Sequence, residues 1–341
     1  MTSLRMALFA ATCLGVAQAH AQAPGAGAVP VTVDTFIRAE SDTYAANLVK
    51  EGGLGMLLHR REPAPVQAQT VIRLNRDTLY TSGVFDLDAG PVTITLPDAG
   101  ARFMSLQAIS EDHYATTEYG AGPHVLTRDK VGTRYVIVGI RTLVDPTDPA
   151  DLRKVHALQD EMKVDQASDG ELELPAWDPV SQKKVRDALL VLATTLPDTK
   201  RMFGTRQQVD PIRHLIGSAS AWGGNNENDA LYLNVVPSGN DGRTVYRLNV
   251  KDVPVDGFWS VSLYNAEGYY QPNQQNAYSL NNITAHKSAD GSVAIQFGSC
   301  DRTIANCLPT MPGWNYMVRL YRPRPEVLSG AWTFPEAHPV H

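Results

Sequence analysis

The run Arg134-Tyr-Val-Ile-Val-Gly-Ile-Arg-Thr-Leu-Val144 decides the fold class. It is rich in β-branched and aromatic residues, short, and set off by Gly132, so it reads as a strand rather than a helix. Upstream the same period of two recurs: Val92, Ile94 and Leu96 alternate, and Phe103 to Ile109 follows. Pro91, Pro97-Asp98 and Gly100 fall between these runs, as turn residues should. Further upstream, Asp34 to Arg61 places Phe36, Tyr44 and Leu48 at helical spacing, and Gly52-Gly53 and Gly55 then loosen its end.

Downstream, three Asp-Pro pairs announce helices, because Asp accepts bonds from free N–H groups while Pro fits the first helical position. Asp148-Pro149 leads into a helix predicted to run to Val164, and Asp178-Pro179 leads into one whose Val185, Leu189, Leu192 and Leu196 share a stripe. Asp210-Pro211 starts a third that ends near Gly217. From Leu231 strands resume, and Asn240-Asp241-Gly242 predicts a hairpin joining Leu231–Val235 to Tyr246–Val250. Phe258–Tyr264, Ile283–His286, Val293–Phe297 and Tyr316–Tyr321 add more strands. Short strands without a βαβ rhythm predict a mainly β protein with α additions: two antiparallel β-sandwich or jelly-roll-like domains joined by a helical segment. The expected divisions are a signal peptide over 1–21, a flexible tether over 22–32, an N-terminal β domain with its leading helix over 33–147, a helical bridge over 148–220, and a C-terminal β domain over 221–341.

The signal peptide is read from a single charge at Arg5, an apolar stretch from Met6 to Val16, and Ala19-His20-Ala21 as a cleavage site. That stretch is too short to span a membrane, and no later one approaches the length needed, so no span is expected after cleavage. Export to the periplasm or the medium follows. Cys13 lies in the signal, which leaves Cys300 and Cys307, and in an exported chain these are expected to form a disulfide. With 30 Lys+Arg against 36 Asp+Glu and no basic block, neither nucleic acid nor an anionic membrane surface is an expected partner. Homo-oligomerisation is left open.

The blocks Asn75–Asp98 (NRDTLYTSGVFDLDAGPVTITLPD), Glu111–Tyr114 (EDHY) and Gly132–Leu152 resemble a known family. So do Asp229–Val235, Asp256–Tyr270, Asn276–Asn282 and Pro312–Pro323. The chain resembles the exported bacterial proteins in which a domain of unknown function 1254 is followed by a domain of unknown function 1214. The resemblance implies a two-domain, mainly β protein and carries no catalytic residues with it.

No nucleotide or phosphate loop and no serine-hydrolase elbow occurs, so no cofactor is named from the sequence. The histidines are scattered singly, so a metal would need a spatial cluster the sequence does not reveal. The most chemical-looking segment is Glu111-Asp112-His113-Tyr114 at a strand end. On strand alternation Glu111 and His113 share a face, so Glu111 could orient His113 as base or metal ligand, with Tyr114 beside them as a third catalytic group. The same four residues also suit a solvated turn. Asn75, Arg76 and Tyr80 form a second polar knot, with Arg76 the natural anion partner, or equally an Arg–Asp pair tying helix to sheet. Asp86 and Asp88 have calcium-loop spacing without the other loop positions, and suit a turn.

Tyr264, Asn265, Tyr269, Tyr278 and Asn281 lie in a stretch dense in amides and aromatic rings, which suits sugars or small polar ligands and also suits a long ordered loop. Three functions follow as expectations. The first is an envelope hydrolase or lyase acting on a polar substrate in an interdomain cleft; the second is a non-catalytic periplasmic protein binding a glycan or small ligand; the third is an envelope structural or assembly protein. The sequence does not decide whether the protein is an enzyme.

Overall fold

The computed structural model describes residues 27–69 and 72–340. The signal peptide therefore lies outside the described residues. Helix α1 (Phe36–Lys50) ends where Gly52 takes a φ of 93°, a conformation that glycine adopts without a steric penalty. The helical reading toward Arg61 gives way to strand β1 (Leu58–His59). Then follow β2 (Thr78–Asp86), β3 (Val92–Leu96), β4 (Met104–Ser110), β5 (Ala115–Tyr119), β6 (Gly122–Leu126), the single-turn helix α2 (Arg128–Val131) and β7 (Tyr135–Leu143). Helix α3 (Pro149–Glu161) and strand β8 (Lys163–Asp165) complete the first body. Two sheets form, in the orders β1-β2-β7-β4-β5 and β6-β3-β8.

Strand β7, the run that decides the fold class, is the centre of the larger sheet, antiparallel to β2 on one side and to β4 on the other. Its Val136, Val138 and Ile140 point inward with Leu106 and Ala108 of β4, against Val92, Ile94 and Leu96 of the smaller sheet. Burying each such aliphatic side chain contributes roughly 1.5–3 kcal/mol, and this is the first sandwich core. Helix α3 stops at Glu161, short of the predicted Val164, because Met162 turns extended and Val164 pairs with Ile94.

Helices α4 (Pro179–Ala193) and α5 (Pro211–Ser220) pack on each other and on α1, and the second body follows with β9 (Ala230–Val235), β10 (Tyr246–Val250), β11 (Trp259–Tyr264), β12 (Ser279–Asn281), β13 (Val293–Phe297), β14 (Cys307–Leu308), β15 (Asn315–Tyr321), helix α6 (Pro325–Leu328) and β16 (His338–Pro339). Two four-stranded sheets, β14-β13-β10-β16 and β12-β11-β15-β9, close over Trp259, Val261, Leu263, Phe297, Trp314 and their neighbours. All of the pairings are antiparallel except β13 with β14. The predicted hairpin is overturned: β9 pairs with β15 and β10 with β13 and β16, so the Asn240-Asp241-Gly242 turn carries the chain from one sheet to the other.

The Asp-Pro caps form as expected. Asp148, Asp178 and Asp210 each accept backbone N–H bonds at the head of α3, α4 and α5. Cys300 and Cys307 form the disulfide, with Cα atoms 5.5 Å apart. Within the segment read as a tether, Val29 bridges to Trp177 and Val31 is buried against α1 and α4, so its described end is fastened. Among the described residues no helix is long and apolar enough to cross a membrane.

Candidate functional site

The outer face of the five-stranded sheet is where chemistry collects. Strand alternation and register put Tyr80 and Ser82 of β2, Gly139 and Arg141 of β7, and Ser105 and Gln107 of β4 on this face, opposite the sandwich core. One end of the face is covered by α1 and Trp222, packed on Val84, Ile109 and Ile137. The other end is covered by the C-terminal sandwich, through Phe103 and Leu143 against Ala230, Phe258 and Tyr321. Between the two covers Ser105 and Gln107 on the β4 side are buried, and the face is partly open over Tyr80, Ser82 and Gly139. Gly139 is half-buried in the middle of a buried strand, and a Cβ placed on it would meet no heavy atom within 4 Å. Tyr80 and Ser82 beside it are also half-buried, so a crevice runs over the sheet at this point.

Arg141 forms the closed end of the crevice and is 9% exposed. Its Nη1 donates to Gln107 Oε1 at 2.8 Å and its Nη2 to the Gly223 carbonyl at 3.0 Å, while its guanidinium stands 5.6 Å from the Tyr80 ring centroid. Two of its five N–H groups thus have acceptors among the described residues, and both acceptors are neutral. Burial works to lower its pKa, but the surrounding Tyr80, Tyr321 and Tyr232 hydroxyls raise it above the ordinary value, so the group stays charged. A buried cation is usually paired, because leaving it without a countercharge costs several kcal/mol.

The hydroxyls around it are held by amides. Asn75 is oriented by the Asp77 N–H on its Oδ1, and its Nδ2 reaches Tyr80 and Tyr321 hydroxyls at 3.2 Å each and Thr78 Oγ1 at 3.1 Å. Asn225 Nδ2 donates to the Tyr232 hydroxyl at 2.7 Å. A phenolic oxygen that accepts an amide hydrogen keeps its own O–H to give. Burial, with Tyr232 and Tyr80 nearby, holds the Tyr321 hydroxyl well above its usual pKa, so it remains a donor. The crevice therefore presents N–H and O–H groups to whatever enters it.

Of the expected site residues, Asn75 and Tyr80 belong to this crevice. Arg76 does not serve as its anion partner: its Nη1 donates to the Ala64 carbonyl and its guanidinium lies 5.5 Å from the Tyr278 ring centroid. Glu111 and His113 are not brought together. His113 has a φ of 62°, which breaks the strand alternation. Glu111 Oε2 accepts the Tyr135 N–H at 2.9 Å and its Oε1 faces Arg38, whereas His113 Nε2 accepts the Gly223 N–H at 2.9 Å. Burial, with His214 beside it, lowers the His113 pKa to about 3, so the ring is neutral. Tyr114 stacks on His214, with ring centroids 4.9 Å apart, under the Arg206 guanidinium. Asp86 pairs with Arg134, an ion-pair role rather than a calcium loop. Among the described residues no three His, Cys, Asp or Glu side chains converge as a metal site.

Within the stretch from Tyr264 to Asn281, Tyr264, Tyr270, Tyr278 and Asn281 lie in the seam between the sandwiches, while Glu267, Gln271 and Gln274 to Asn276 are exposed. The Tyr264 hydroxyl donates to the Leu74 carbonyl at 2.7 Å, Tyr278 packs edge-on to Tyr270, and Asn281 Nδ2 donates to Asp77. Asn265 closes a local turn by accepting the Tyr269 N–H. A second buried guanidinium, Arg319, sits here, and it differs from Arg141 in being engaged by Ser262 Oγ, the Arg73 and Leu74 carbonyls and the Tyr264 hydroxyl. A surface groove of about 470 Å³ lies elsewhere, along α3 at Asp98, Arg102 and Lys154, and gathers no comparable donor set.

Arg141, Gln107, Gly139, Tyr232 and Tyr321 were not singled out from the sequence. One signal was in plain view: Gly139 and Arg141 interrupt the quoted apolar strand at alternate positions, hence on one face.

The comparisons with known proteins agree with this architecture. Residues 54–119 match the profile described as a protein of unknown function (DUF1254), and residues 237–325 the one described as a protein of unknown function (DUF1214). No curated protein matches the sequence. Among solved structures, the VPA0106 protein from Vibrio parahaemolyticus is similar at 18% identity and a TM-score of 0.68, over 91% of this chain and 98% of that one. An uncharacterized protein from Burkholderia cenocepacia is similar at 15% identity and a TM-score of 0.51, over 90% of this chain and 88% of its own. At such identities the likeness is one of fold. The chain therefore carries a match to domain of unknown function 1254 followed, in that order, by one to domain of unknown function 1214.

Proposed function

We propose that the protein is an exported binding protein that takes a small polar ligand into the crevice over Gly139. The observation that carries this reading is the open space above a half-buried glycine in the central strand, at the foot of a buried guanidinium with only neutral partners. Export is supported by the signal-like start of the sequence and by the Cys300–Cys307 disulfide. The hydrolase or lyase reading rested on an acid–imidazole pair, and Glu111 and His113 instead spend their hydrogen bonds on backbone groups and Arg38. In the Tyr264–Asn281 stretch, expected to hold a glycan, the Tyr264 hydroxyl and the Asn281 amide are engaged in joining the two sandwiches.

The test uses the mature oxidised protein and a Gly139→Leu variant, whose added side chain would fill the crevice. Each is incubated with envelope and culture extracts, repurified and denatured, and the released small molecules are compared by mass spectrometry. A compound released by the native protein in proportion to its amount, and missing from the variant, is the expected result. Identical profiles from the two proteins would refute the reading. Depletion of a compound at trace protein, with a new product, would move the protein to the enzymes.

A further inference from the structure

We infer that the ligand of this crevice carries a carboxylate, bound by Arg141 and by the hydroxyls of Tyr80, Tyr232 and Tyr321. The inference rests on the crevice reading above and adds the chemical class of the ligand. Three observations support it. The first is charge: Arg141 is buried and its described acceptors are an amide oxygen and a backbone carbonyl. One carboxyl group shares this layer, Asp229; burial raises its pKa while the nearby Arg141 and Arg322 charges draw it down, and its hydrogen bond goes to the Tyr119 hydroxyl at 2.9 Å rather than to Arg141. Arg319, still more deeply buried, has four described acceptors, so Arg141 is the guanidinium with donors to spare.

The second is hydrogen-bond direction. The Asn75 amide, shared among Thr78, Tyr80 and Tyr321, and the Asn225 amide lie at donor distance from the phenolic oxygens, which leaves the phenolic hydrogens available to be donated. A site made of N–H and O–H donors selects a ligand rich in acceptors and leaves a neutral amide N–H without a partner. The third is stoichiometry of charge. A single guanidinium edge matches the planar, singly charged carboxylate bidentately, whereas a phosphate dianion would bring a second charge that this crevice does not neutralise.

The experiment is calorimetric titration of the full mature chain, disulfide intact, with matched pairs: lactate against lactamide, succinate against succinamide, and galacturonate against galactose, with inorganic phosphate as the competing anion. At least one carboxylate is expected to bind at least tenfold more tightly than its neutral partner, and Arg141→Gln is expected to erase that preference. Where Arg141→Gln does not fold, the Tyr80→Phe, Tyr232→Phe double variant removes two donors without touching charge and is expected to weaken the same carboxylate at least fivefold. Neutral partners binding as tightly as the carboxylates, with binding blocked by Gly139→Leu, would overturn the carboxylate and leave the crevice reading standing. Phosphate binding more tightly than every carboxylate, or no binding of any carboxylate, would overturn it too. The extract experiment then judges the crevice reading on its own.

Discussion

Asn281 donates from Nδ2 to Asp77 Oδ1 at 3.1 Å, across the seam between the two sandwiches. Asp77 is fully buried, its Oδ1 also accepts from Ser279 Oγ at 3.3 Å, and its Oδ2 has no partner among the described residues. Asn281 is fixed in turn, because its Oδ1 accepts the Ile283 and Thr284 N–H groups. Asn281→Ala should therefore leave a buried carboxylate with a single weak donor and a turn without its cap. A loss of about 3 kcal/mol is expected, read as a lower midpoint in urea unfolding. A change below about 0.5 kcal/mol would mean that the seam is not held by this contact.

The disulfide gives a second prediction. Cys300 and Cys307 close a loop of separation 7, and Cys307 opens the short parallel strand beside Gln296 and Phe297. The chain-entropy relation assigns so short a loop roughly 2–3 kcal/mol. Reduction should add two hydrogens to the mass and lower the thermal midpoint by several degrees, and the Cys300→Ser, Cys307→Ser double variant should show the lower midpoint without any response to reductant. A midpoint indifferent to reduction would remove the bond from the stability of the fold.

Much of the architecture was legible in local chemistry. Alternation identified the strand at Arg134–Val144, and the Asp-Pro caps located three helix starts. Long-range partners were not legible. The Asn240-Asp241-Gly242 turn is real, with Asp241 accepting the Arg243 and Thr244 N–H groups, but a turn does not state which sheet the next strand joins. The candidate site was half legible for the same reason. Asn75 and Tyr80 were visible as a polar knot, while Arg141 took on meaning once Asn75, Asn225, Tyr232 and Tyr321 arrived from distant segments. At His113 the period-two rule itself failed, since a left-handed residue ends the strand and the ring goes to the Gly223 N–H rather than to Glu111.

Asp42 predicts a gain in stability on mild acidification. Burial pushes its carboxyl up to about 6; Glu111 and Asp112 add to the rise, while the Trp177 N–H and Arg38 hold it back. A folded pKa above the unfolded 3.8 means that the native state holds the proton more firmly. The contribution is complete below 3.8 and is lost as the pH rises to about 6. Asp42→Asn keeps an acceptor for Trp177 and cannot ionise. Relative to this variant the native protein should gain on the order of 2 kcal/mol between pH 6 and pH 4, measured by urea unfolding at each pH. A constant difference would show that Asp42 does not take up the proton on folding.

His113 predicts the opposite slope, and its argument runs through one backbone contact. Its Nε2 accepts the Gly223 N–H at 2.9 Å, so the ring hydrogen sits on Nδ1, a buried atom without a partner among the described residues. Protonation would break the Gly223 contact and bury a charge beside His214, with ring centroids 5.4 Å apart, which is why the pKa falls from 6.5 to about 3. With the folded value depressed, the unfolded chain takes up a proton that the native ring refuses. Stability is complete above 6.5 and is lost as the pH falls toward 3, at about 1.4 kcal/mol per pH unit. His113→Asn suits the backbone, because Asn tolerates the left-handed conformation better than most residues do. The variant should be less stable than the native protein at pH 7 by about 1–2 kcal/mol, having lost the Gly223 bond, and its acid limb should be flatter. The two stability curves are then expected to converge and cross between pH 6 and pH 4. Parallel curves over that range would mean that the buried ring accepts its proton as readily as the unfolded one, and that the Gly223 contact does not hold it neutral.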